Sequence, residues 1–128
     1  MSIMDIKTIE SDLKMKYLFF PESMVKRDRK IQNGSLNVDI KKEVTKNKNH
    51  EFTLKVLLRV KKNDLQINVT CVADFIYAGE NEDSEEYLVN KNGVAIVFPF
   101  LRSQVTLLTS QPNMTPIVLP VINVNRIL

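Results

Sequence analysis

Apolar and polar residues alternate with a period of two along four stretches of this chain. In the first, Leu13, Met15, Tyr17 and Phe19 interleave with Asp12, Lys14 and Lys16, which leaves Phe20 on the polar parity. In the second, Leu36, Val38, Ile40 and Val44 interleave with Asn37, Asp39, Lys41 and Glu43, and only Lys42 interrupts the apolar row. Phe52, Leu54, Val56, Leu58 and Val60 form a third row, and Leu65, Ile67, Val69, Cys71, Ala73, Phe75 and Tyr77 a fourth. Successive side chains of a strand point to opposite faces, so each row predicts a strand with one face buried and one wet. The short polar connections Asn47-Lys48-Asn49 and Lys62-Asn63-Asp64 suit antiparallel hairpins. The polar stretch from Pro21 to Ser35 is too long for a tight turn and reads as a crossover between the first two strands.

The period changes after Ala78-Gly79. The acidic run 80–86 reads as a loop or a short helix. Phe98, Leu101, Val105 and Leu108 then recur at three- and four-residue steps, the spacing of one helical stripe, with the helix ending between 109 and 112. Pro99 fits either the first helical position or a kink in a helix starting nearer Asn92. Pro112, Pro116 and Pro120 keep the following chain extended. Together the pattern predicts an α+β domain, a four-stranded antiparallel sheet with a helix packed on one face.

Composition narrows the function more than the fold. With 128 residues, 44% hydrophobic and 26% charged, the chain has the make-up of one globular domain spanning 1–128. Residues 1–7 carry neither the basic nor the apolar region of a secretory signal, and no run reaches the length of a membrane span. The expectation is a cytoplasmic protein without membrane insertion. The net charge of +3 is mildly basic, with lysines and arginines clustered at 26–30 and 41–48. Neither cluster is interleaved with base-stacking aromatics, so nucleic acid is not an expected partner.

Catalytic chemistry is absent from the pattern. His50 is the single histidine and lies in a hairpin connection, where no orienting partner is evident. Cys71, the single cysteine, sits in an apolar row and reads as a small buried hydrophobe. One Cys and one His cannot complete a tetrahedral metal site, and three glycines offer no phosphate-cradling loop. No catalytic residue, metal or cofactor is expected, and the reading is of a binding protein rather than an enzyme.

Several longer signatures run in a familiar order. Tyr17-Leu18-Phe19-Phe20-Pro21-Glu22, Phe75-Ile76-Tyr77-Ala78-Gly79, Phe98-Pro99-Phe100-Leu101-Arg102 and Leu119-Pro120-Val121-Ile122-Asn123 resemble, in sequence and spacing, the SecB family of protein-export chaperones. The likeness spans nearly the whole chain. It implies an ATP-independent holdase that binds unfolded or precursor proteins in an apolar groove. It further implies a homotetramer built as a dimer of dimers, with the SecA translocation motor as a partner. Carried over by position, the client-binding residues are Phe19, Phe20, Phe75, Tyr77, Phe98, Phe100, Leu101, Val105 and Ile117. The family's solvated sheet face is acidic, whereas Lys14, Lys16 and Asn68 occupy comparable places here. Two other readings compete: a chaperone dedicated to one partner, as in SecB-like members that protect an antitoxin, and a structural or inhibitory adaptor that binds a folded partner through its sheet.

Overall fold

The computed structural model describes residues 12–28, 34–79 and 85–121. Four strands, β1 (Leu13–Lys26), β2 (Asn37–Lys48), β3 (Glu51–Lys62) and β4 (Leu65–Tyr77), form one antiparallel sheet in the order β1-β4-β3-β2. A single long helix, α1 (Glu85–Leu108), follows. The two-residue turns Asn49–His50 and Asn63–Asp64 join β2 to β3 and β3 to β4; His50 and Asn63 take the left-handed backbone that such tight turns need, with φ of 66° and 51°. The first and second strands lie at opposite edges, so a crossover joins them as expected, but it starts later than Pro21: residues 21–26 continue β1, with Glu22–Lys26 paired to β4, and residues 29–33 lie outside the described residues.

The alternation sets the two faces. Every apolar-row residue of β3 and β4 is buried, from Phe52 to Val60 and from Leu65 to Tyr77. On β2, Ile40 is buried and Val38 and Val44 pack against the core, while Lys42 uses its place in the apolar row to reach the helix: its Nζ donates to the Asn90 carbonyl at 2.6 Å.

β1 departs from the expected parity. Its pairing with β4 slips between Met15 and Tyr17 and again between Phe19 and Glu22. A bulge puts two residues opposite one and thereby exchanges the faces of everything beyond it. Leu13 and Met15 point to the core as read, but past Lys16 it is Leu18 and Phe20 that pack inward, and Tyr17 and Phe19 that turn outward. The placing of Phe20 on the wet face is corrected accordingly.

The helix also begins earlier than either sequence option. Glu85 and Glu86 form its first turn, seven residues before Asn92, so Pro99 lies in its interior. Proline leaves the carbonyl four residues back without its N–H partner. That carbonyl belongs to Ala95, and both Ala95 and Pro99 are exposed, so water can take the missing bond. Residues 80–84 of the acidic run lie outside the described residues. α1 crosses the sheet diagonally: its first turn is tied to Lys46 and His50 at the β2–β3 end, while Gln104 bonds Ser23 of β1 at 3.2 Å. Midway, Gly93 lets the helix approach closely, since a Cβ there would stand 3.0 Å from Leu54 Cδ2.

Candidate peptide-binding surface

After α1 the chain turns at 109–113 and runs back along the helix in extended form. Two side chains of α1, Arg102 and Thr106, and Thr109 just past its end hold this strap. Thr109 Oγ1 accepts from the Ile117 amide at 2.8 Å while donating to the Val105 carbonyl at 2.8 Å. Thr106 Oγ1 donates to the Ile117 carbonyl at 2.8 Å, and Arg102 Nε donates to the Leu119 carbonyl at 2.9 Å. Residues 102, 106 and 109 are three and four apart, and the Thr109 amide still bonds the Val105 carbonyl at 3.1 Å, so the three line up along one side of α1 and its end. Period two governs the strap as well: Ile117 and Leu119 are buried in the same cluster as Phe98, Leu101 and Val105, and Val118 between them is exposed. Arg27 ties the turn to β1 by donating to the Asn113 carbonyl at 3.0 Å.

Beside the strap lies an open groove of about 630 Å³, lined by Pro99, Arg102, Ser103, Thr106, Leu107 and Val118 among others. Two of its apolar lining side chains are well open to solvent, Leu107 at 67% and Val118 at 69%, and Phe100, outside the lining but next to Pro99 in sequence, is 45% exposed. Phe100 and Leu107 are seven residues apart and stack on one side of α1. A second open apolar region occupies the opposite side of the molecule, where Tyr17 and Phe19 stand on the outer face of β1 with ring centroids 5.3 Å apart. Val72 pairs in register with Phe19 on that face.

Of the nine residues carried over from the resemblance, the structure therefore leaves two with rings open to a ligand, Phe19 and Phe100. Phe75, Tyr77, Phe98, Leu101, Val105 and Ile117 are buried within this chain, and Phe20 is partly buried against them. The buried ones sit on the inward parity of β4, on the sheet-facing side of α1 or beneath the strap, where apolar side chains gain most by leaving water. Phe19 and Phe100 face opposite sides and do not form one site. Sequence reasoning missed Thr106 and Thr109, whose signal was their three- and four-residue spacing with Arg102 beside the apolar stripe. Of the Leu119-Pro120-Val121-Ile122-Asn123 signature, Ile122 and Asn123 lie outside the described residues.

One polar cluster was also unforeseen. The buried Glu85 carboxylate accepts from Lys46 Nζ at 2.7 Å and lies 2.7 Å from His50 Nδ1. The Lys46 hydrogen bond holds its pKa below the usual carboxylate range, outweighing burial, which acts the other way, with His50 assisting. Burial pushes the Cys71 thiol up to about 11, so it carries no thiolate chemistry at neutral pH. Among the described residues no group of three His, Cys, Asp or Glu side chains could hold a metal ion, and no helix is long and apolar enough to cross a membrane.

No protein-family model matches the chain. It is 28% identical over 114 residues to an uncharacterized protein, MJ0357, of Methanocaldococcus jannaschii, covering 83% of this chain and 72% of that one. Among solved structures it is similar to the Rv1957 SecB-like chaperone of Mycobacterium tuberculosis, solved in complex with a ChAD peptide from the Rv1956 HigA1 antitoxin, with a TM-score of 0.72 at 12% identity and coverage of 93% and 96%. The four-stranded antiparallel sheet with one helix packed on it is thus the SecB-like fold.

Proposed function

We propose that this chain is an ATP-independent chaperone that holds an extended apolar segment of another polypeptide. The observation that carries this reading is the SecB-like fold of a neighbour bound to a peptide, combined here with apolar side chains left open beside α1. Burying an exposed Phe or Leu side chain is worth about 1.5–3 kcal/mol, and several such contacts along one client add without any sequence motif. Binding that favours the unfolded form of a client opposes its folding by mass action. Phe100 and Leu107 would supply the contacts on the helix side, and Phe19 a second contact point on the sheet side.

Association into a homotetramer, built as a dimer of dimers, accompanies this reading. Strand β1 lies at an edge of the sheet with Tyr17 and Phe19 exposed, a surface that a second copy would cover to advantage. Docking to the SecA motor is disfavoured by charge. Lys14, Lys16, Lys41 and Lys55 project from the solvated sheet face among the carboxylates of Asp39, Glu43, Glu51 and Asp74, so the face is mixed rather than acidic and attracts a basic partner weakly. The bound antitoxin peptide of the neighbour favours one variant of the reading, a chaperone dedicated to a single client.

The test is binding of reduced, unfolded α-lactalbumin against its native form. A segment-holding chaperone captures the first and ignores the second, and an adaptor for folded partners does the reverse. Replacing Phe100 and Leu107 by Ser, both exposed, should weaken suppression of client aggregation severalfold while leaving the thermal midpoint unchanged; undiminished suppression would remove the helix side from the site. Protection of several unrelated unfolded proteins would rule out the dedicated variant.

A further inference from the structure

We propose that the seat now filled by residues 117–119 is itself a recognition site for an extended apolar polypeptide, occupied in the resting molecule by the chain's own strap. This rests on the chaperone reading and adds where a client is read and what it must displace.

Each hydrogen bond that joins Arg102, Thr106 and Thr109 to the strap involves strap backbone: Thr109 accepts from the Ile117 amide, and Thr106 and Arg102 donate to the Ile117 and Leu119 carbonyls. Backbone groups are common to every polypeptide, so these contacts demand an extended conformation and no particular sequence. Specificity comes only from two apolar side chains two residues apart, with the one between them free to be anything: Ile117 and Leu119 enter, Val118 does not. The buried Thr109 hydroxyl, the partly buried Arg102 and Thr106, and the apolar floor of Leu101 and Val105 are all covered by the strap and would be costly to leave bare, so the seat needs an occupant. An incoming segment with two alternate apolar residues would satisfy the same groups.

The strap suits the part of a replaceable occupant. Pro116 and Pro120 bracket the seated residues, fix extended backbone on either side and lack N–H groups that would extend the ladder. The open groove of about 630 Å³ runs along Val118, the exposed residue of the strap, and gives an arriving segment a place to land beside the seat. A tethered occupant acts at an effective concentration on the order of millimolar, so it excludes weak apolar peptides and yields to a client that makes further contacts at Phe100 and Leu107.

Two experiments decide the matter. The first uses a labelled synthetic peptide of residues 114–121. The Ile117→Ser/Leu119→Ser variant, with its own strap weakened, should bind this peptide at least tenfold more tightly than the unaltered protein does. Binding should be lost when the peptide carries the same two serines, and Arg102→Gln in the variant should weaken it. Equal affinity for both proteins would overturn the proposal. The second keeps the core intact: Ser103→Cys and Val118→Cys, which line one groove, are joined by a short bismaleimide while the buried Cys71 stays unreacted. Linked protein should hold reduced α-lactalbumin at least tenfold less well than the unlinked form, and equal binding would show that the strap does not move aside. Absence of lactalbumin binding in both forms would refute the chaperone reading, whereas the peptide experiment judges the seat independently of it.

Discussion

Glu85 shows how one residue can join three elements. Its carboxylate gathers the β2 side chain Lys46, the turn residue His50 and the first turn of α1, where a negative charge also meets the positive end of the helix dipole. Because its pKa is lowered on folding, the native state binds fewer protons than the unfolded chain across the carboxylate range. The stabilisation is complete above the unfolded value of about 4.3 and disappears as pH falls through the lower folded value. Glu85→Gln should therefore cost about 2 kcal/mol at pH 7. In urea titrations the wild-type and variant midpoints should converge as the solution is acidified below pH 4; a gap that persisted at low pH would mean that packing rather than charge is responsible. Nothing in the alternation pointed to this residue, since Glu85 lies 35 and 39 positions from His50 and Lys46 and meets them only through the fold. Phe19 and Phe20 make the complementary point. Tyr17-Leu18-Phe19-Phe20 is apolar on both parities, so the pattern could not fix which pair faces inward, and the bulge after Met15 decided it. Phe20→Ala should lower stability by a few kcal/mol, at about 3–5 for a fully buried ring. Phe19→Ala should leave it nearly unchanged, a difference that thermal unfolding would read directly.

Among the elements, β3 and β4 were fully legible because both are interior strands whose every second residue must be apolar. The helix was legible only in its second half. From Glu85 to Val97 its buried side is made of Glu85, Val89, Gly93, Val94 and Val97, so a carboxylate and a glycine occupy positions where the pattern looks for large apolar groups. Gly93 is there for clearance rather than for backbone freedom. An alanine Cβ would press on Leu54 at 3.0 Å, while helix propensity would gain about 1 kcal/mol, so Gly93→Ala should be close to neutral. Gly93→Leu should cost about 1–3 kcal/mol or more by forcing helix and sheet apart. A leucine tolerated without loss in a denaturant titration would show that the contact is slack. The strap escaped notice for a different reason: its prolines announced extended chain, but its partners are polar side chains on a helix already read as an apolar stripe.

At the scale of the whole molecule, open apolar surface on two opposite sides makes a lone copy an uncomfortable state in water. Mass measurement at low micromolar concentration should give about four times the chain mass of 14.7 kDa. Tyr17→Lys on the outer face of β1 should lower that mass, and a stable monomer would remove the tetramer from the reading. The same edge carries a safeguard. Its two slips divide β1 into matched runs Leu13–Met15, Tyr17–Phe19 and Glu22–Lys26, none longer than five residues. Cross-β stacking draws on uninterrupted segments of about six or seven. A rail broken this often gives a misfolded neighbour no template to copy along β1; the other edge, β2, pairs evenly from Asn37 to Lys46 and is guarded instead by the charges of Asp39, Lys41, Lys42, Glu43 and Lys46.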